Sequence, residues 1–95
     1  DCRKNSKTFG KHFSIYLSEK ENKSLLIPPG FAHGFCTLTN DVVLHYKCSK
    51  YRHSNSETGI LWNDKDLDIK WPTKKLIISN KDKKNFTFKD LKKLI

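Results

Sequence analysis

The chain lacks a paired-cysteine motif, a long apolar run and methionine, and each absence removes a class of protein. Its three cysteines, Cys2, Cys36 and Cys48, are odd in number and never spaced as CxxC. That argues against a disulfide framework and against a structural zinc site; reduced thiols in a cytosolic protein fit best. No apolar run approaches the ~18 residues of a membrane span, and no signal-peptide pattern is present. There is no glycine-rich phosphate loop, no GxSxG and no HExxH. Arginine is scarce: Arg3 and Arg52 are the two arginines among 19 basic residues. Lysine supplies the rest, nine of them between Lys70 and Lys93, and the formal charge is +9. A nucleic-acid-binding face more typically clusters arginine among aromatics. The basic balance therefore reads first as a solvated lysine surface, and second as an attraction for anionic ligands such as phosphates. A basic nucleic-acid-binding β-barrel is the weakest of the readings considered. A chain that opens at Asp1, holds no methionine and soon enters a strand pattern is expected to be a fragment lacking its N-terminal part.

What is present is the material of one domain at most, residues 1–95. A chain of this size buries a modest fraction of its surface. The most informative stretch is Ile27-Pro28-Pro29-Gly30-Phe31-Ala32-His33-Gly34-Phe35. Two prolines fix φ and withhold their N–H groups, so no regular ladder runs through them. Gly30 and Gly34 open backbone conformations closed to other residues. The segment predicts a rigid turn that presents His33 and feeds a strand. From these nine residues alone, a packed imidazole and a functional one are equally good readings.

Strand patterns flank this turn. Lys11 to Ser18 alternates, with Phe13, Ile15 and Leu17 on one face. Glu19 to Ser24 is a charged turn, and Ser24 to Ile27 a short apolar strand. Phe35 to Thr39 is another strand, closed by a hairpin-type loop at Thr39-Asn40-Asp41. Val42 to Cys48 alternates again, placing Tyr46 with Val42 and Leu44 on a face expected to point inward. A tyrosine there needs a partner for its hydroxyl or opens onto a pocket. Leu76-Ile77-Ile78 is a last strand. A helix is expected only at the end, N-capped by Thr87 with Asp90 three residues on, and with Phe88, Leu91 and Leu94 or Ile95 at helical spacing. Many short strands between turn signals predict an all-β antiparallel sandwich or barrel.

The histidines are His12, His33, His45 and His53, and no two form an HxH pair on a strand. His33, His45 and Cys48 are of metal-ligating type, but the alternation turns His45 away from Tyr46, so no metal site is expected. A second set is of more interest: His33, Tyr46, Glu57, Lys81 and Asp82. A tyrosine is a neutral donor at pH 7, with a reference pKa of ~10, and can return a proton to an enolate. A histidine or lysine beside a ketone oxygen stabilises that enolate, and a lysine at a pocket mouth suits a diphosphate. Taken singly, each has a plainer reading: Tyr46 as core, the others as solvated surface.

In order and spacing, these residues fall in motifs that resemble the C-terminal half of the dTDP-4-dehydrorhamnose 3,5-epimerase family. Asp1-Cys2-Arg3-Lys4-Asn5-Ser6 with Thr8-Phe9-Gly10 resembles DLRxxSPTFG, with Lys7 in place of proline. Leu25 to Phe35 resembles LxIPxGFAHGF, and Tyr46-Lys47 is followed by Tyr51 as in the family. Glu57 to Asp64 resembles ExGIxWND, Ile69 to Pro72 resembles IxWP, and Ile78 to Asp82 resembles LSxKD. The resemblance implies a partial cupin-type antiparallel jelly-roll barrel without its N-terminal strands. It implies epimerisation at C3 and C5 of a dTDP-linked 4-keto-6-deoxy sugar, with neither metal nor redox cofactor, by a cytoplasmic enzyme that is a homodimer when whole. By position, Tyr46 would be the acid and Asp82 would orient the base histidine. His33, Glu57 and Lys81 would bind substrate. The family's base lies in an upstream RGLHYQ-like motif that these residues do not contain, and His12 falls downstream of its place. A non-catalytic sugar-nucleotide-binding or dimerising half-domain is therefore the second reading.

Overall fold

The computed structural model describes all 95 residues, Asp1 to Ile95. Its regular elements are a 3-10 turn at Ser54–Ser56 and two helices, α1 at Asn80–Lys83 and α2 at Phe88–Leu94. The expected helix is α2. Thr87 caps it, its Oγ1 accepting from the Asp90 N–H at 3.2 Å and donating to Asp90 Oδ2 at 2.8 Å. Phe88 and Leu91, three residues apart, share the buried face. Seven residues are too few for a helix to stand alone in water; docking holds it. α1 is one turn, capped by Ser79 Oγ, which accepts from the Asp82 N–H at 3.1 Å.

The all-β expectation is overturned. There is no β-strand, and therefore no jelly-roll barrel; one isolated parallel bridge joins Ile60 and Phe86. It is made by Leu61 N–H to Phe86 O at 2.8 Å and Phe86 N–H to Gly59 O at 3.3 Å. Residues 12–17, 24–27, 35–48 and 76–78 make no backbone–backbone hydrogen bond. In total there are 18 such bonds, where a packed domain makes about one intramolecular hydrogen bond per residue, two-thirds of them between backbone groups. The physical reason is that alternation assigns an apolar face but supplies no neighbour. A strand is satisfied only by another chain segment ≈ 4.8 Å away, and no segment is hydrogen-bonded to these through its backbone. Most of their apolar side chains stay in solvent: Phe13, Leu26, Val43 and Tyr46 are 76%, 87%, 96% and 71% exposed, while Leu76 and Ile78 are half-buried. Tyr46 thus faces outward, against expectation. The turns do form where the polar residues called for them. Residues 19–22 turn with Asn22 at φ 48°, and the chain bends at 39–41 without pairing the segments on either side.

The packed part is a small hub held by three sets of contacts. In the first, the Asp1 carboxylate accepts from the Arg3 N–H and guanidinium and from the hydroxyls of Ser6 and Thr8, at 2.5 to 3.0 Å. This knot is the DLRxxSPTFG-like motif closed on itself. The Arg3 guanidinium lies 4.6 Å over the Phe31 ring, and the Cys2 N–H donates to Gly30 O at 2.9 Å. Gly30 sits at φ 89° with the Arg3 side chain where a Cβ would project. Both conditions require glycine. In the second, buried Asp64 accepts from the Asp66 and Leu67 N–H groups and, through its other oxygen, from the Phe88 N–H at 2.8 Å. This fastens the WND loop to the start of α2. In the third, the Phe88 ring meets Phe9 at 5.4 Å between centroids. Trp71 Nε1–H donates to Trp62 O across the 62–71 loop at 2.8 Å. No helix is long and apolar enough to cross a membrane.

Candidate functional site

The residues between Tyr51 and Thr58 form a tight loop. The Ser56 N–H reaches back to His53 O at 2.9 Å and the Glu57 N–H to Ser54 O at 3.3 Å. This turn folds Glu57 onto Arg52. The guanidinium grips the carboxylate with both arms, Nε to Oε1 at 2.5 Å and Nη2 to Oε2 at 3.1 Å. Lys81, on α1, adds a third contact, Nζ to Oε2 at 3.2 Å. Two residues singled out in sequence, Glu57 and Lys81, thus meet across 24 positions of chain.

Asn85 acts as the strut between their segments. Its Nδ2 faces Ile60 O and Asp82 Oδ1, each at 3.4 Å. Gly59 lies beneath it; a Cβ there would stand 2.6 Å from Asn85 Nδ2 and push the strut aside. The electrostatics follow from the contacts. The Arg52 hydrogen bonds, and then the Lys81 one, hold the Glu57 carboxyl down to about 2. Glu57 raises Arg52 in return, and Tyr46 adds to that in the same direction. The cluster carries two cations and one anion, which leaves a net positive charge facing solvent.

The other expected residues stand apart. His33 is exposed on its turn, and no hydrogen bond reaches its ring. Tyr46 is exposed and its hydroxyl makes no hydrogen bond. Asp82 neighbours Lys81, and its carboxylate accepts from Asn85 rather than from an imidazole. A cavity of about 310 Å³ lies between the turn at 30–32, residues 58–60 and the end of α2 at Leu91 and Ile95. It separates the segment carrying His33 from the segment carrying Glu57. Arg52 and Asn85 were not singled out in sequence. A lone arginine five residues before a motif glutamate, in a chain so poor in arginine, was a signal for the first. Nothing marked the second. Asp64 belongs to the ExGIxWND-like motif, which does not reveal its use as an acceptor for α2.

The comparisons with known proteins decide the family. The family model described as dTDP-4-dehydrorhamnose 3,5-epimerase matches residues 1–90. The chain belongs to this family. It is similar to the dTDP-4-dehydrorhamnose 3,5-epimerase of Escherichia coli strain K12, 44% identical over 95 residues, covering 99% of this chain and 51% of that protein. The Shigella flexneri epimerase is 44% identical over 82 residues, 86% of this chain and 45% of its own. That of Methanothermobacter thermautotrophicus is 42% identical over 86 residues, 87% and 46% respectively. The chain therefore spans about half the length of these relatives. No solved structure matches it.

Proposed function

We propose that this chain is the substrate-holding and proton-returning half of a dTDP-4-dehydrorhamnose 3,5-epimerase. The observation that carries the reading is the Glu57–Lys81 contact, flanked by Arg52. Two residues from two family motifs meet there in a small cationic corner suited to a nucleotide diphosphate. The substrate is a dTDP-4-keto-6-deoxy sugar. Its 4-keto group acidifies the C–H bonds at C3 and C5. A base removes one proton from one face, and Tyr46 gives one back to the other. His33 stands beside the sugar, Glu57 binds it, Lys81 binds the diphosphate, and Asp82 orients the base histidine as a triad carboxylate orients its imidazole. That histidine comes from a part of the protein outside these residues, and the working enzyme is a cytoplasmic homodimer. The same partners supply the neighbours that residues 12–17 and 35–48 lack.

The test is solvent exchange. The protein, expressed from its complete reading frame, is incubated with dTDP-4-keto-6-deoxyglucose in deuterium oxide and followed by proton NMR. Deuterium entering at C3 and C5 with inversion is the expected result. Binding without exchange would make the protein a sugar-nucleotide-binding module instead, and neither binding nor exchange would overturn both readings.

A further inference from the structure

Among the groups around Glu57, Arg52 has the firmest hold and no assigned task. It makes two contacts to the carboxylate, at 2.5 and 3.1 Å, against one of 3.2 Å from Lys81. The other arginine, Arg3, is committed to Asp1 and Phe31. The two cations differ in kind. A guanidinium forms a planar, preorganised fork on a carboxylate, whereas an ammonium is a point charge on a flexible stem. The fork is also built in by the chain, since the Ser54–Ser56 turn returns Glu57 to Arg52 whatever occupies α1. The side chains of Arg52 and Lys81 are 72% and 71% exposed, and that of Glu57 only 33%.

We propose that Arg52 is a positioning residue that neutralises Glu57, so that the Lys81 ammonium can leave the carboxylate for the diphosphate of a nucleotide sugar. This rests on the functional reading above. The charge balance explains the need. If Lys81 were the sole partner of Glu57, moving it to a phosphate would leave a bare carboxylate facing an incoming anion. With Arg52 in place, the same movement leaves a neutral pair and releases a cation. Arg52 thus acts on the ligand through Glu57 and Lys81, without touching it. The charged groups facing Glu57 are Arg52 from its own loop and Lys81 from α1, and Tyr46 bears on Arg52 from the segment before.

The probe is thymidine diphosphate, which lacks the sugar and so leaves out any contact of Glu57 with it. Titration calorimetry on the protein from its complete reading frame is expected to show R52Q binding about fivefold more weakly than wild type. R52K, which keeps the charge and loses the fork, falls between them. The double variant R52Q/E57Q returns close to wild type, because no carboxylate remains to compete for Lys81. In turnover the loss falls on KM, with kcat changed by less than about twofold. Unchanged binding in R52Q, or a double variant as weak as R52Q, overturns the role given to Arg52 while leaving the functional reading intact. A wild-type protein that does not bind thymidine diphosphate overturns both.

Discussion

At the residue scale, Glu57 is the group whose surroundings make the firmest statement. Two cations hold its carboxyl down to about 2, against ~4.3 for a free glutamate. A carboxyl depressed on folding contributes stability that is present above its unfolded pKa and lost as pH falls through the folded one. The Arg52–Glu57–Lys81 contact is therefore expected to stay intact from neutral pH to below 4 and to open only as pH approaches 2. The carboxyl carbon shift of Glu57, followed by NMR, reads this directly; a midpoint near that of a free glutamate would contradict it. Glu57 and Lys81 stand out in the sequence because each sits in a motif, but their meeting is not legible there. Arg52 does not stand out, since pattern does not reveal which basic side chain a turn will fold onto an acid. Tyr46 shows the opposite limit. Its place on an apolar face was legible, but facing inward requires a second layer that these residues do not form.

At the scale of elements, local structure is legible in the sequence and non-local structure is not. Thr87 and Asp90 lie three residues apart and satisfy one another within a single turn, so α2 could be read from a few letters. The same holds for the turn at 19–22. A strand needs a distant partner, and neither Val42–Cys48 nor Phe35–Thr39 says which segment that is. The anchor of α2 is likewise non-local, because Asp64 reaches the Phe88 N–H from 24 residues away. Two substitutions separate the local and distant contributions. Thr87→Ala removes the cap and is expected to cost about 1 kcal/mol. Asp64→Asn turns an amide N–H toward the Phe88 N–H or toward the loop, leaves a buried donor unmatched, and costs about 1–3 kcal/mol. Urea unfolding of the protein from its complete reading frame measures both. Asp64→Asn no more costly than Thr87→Ala would mean that the Asp64 contact does not anchor the helix.

At the scale of the molecule, a hub tied by Asp1, Asp64 and Phe88 holds long extended segments whose apolar faces are open. The radius of gyration is 14.3 Å, where a packed domain of about this length has roughly 13 Å. Exposed strand-like edges invite pairing with another chain. Residues 1–95 expressed by themselves are therefore expected to self-associate, as sedimentation velocity would show; a monodisperse sample with one sharp melt would contradict this. The same open segments carry His33 and Tyr46, so the chemistry proposed for them depends on neighbours that bring them to the Glu57–Lys81 corner. Tyr46→Phe tests that claim most directly, since it removes a hydroxyl that makes no hydrogen bond in this chain. In the deuterium-exchange assay, with the protein from its complete reading frame, the variant is expected to melt as wild type does. It should still bind the sugar nucleotide, yet lose most epimerisation or stall after exchange at one carbon. Wild-type turnover by Tyr46→Phe would contradict the account.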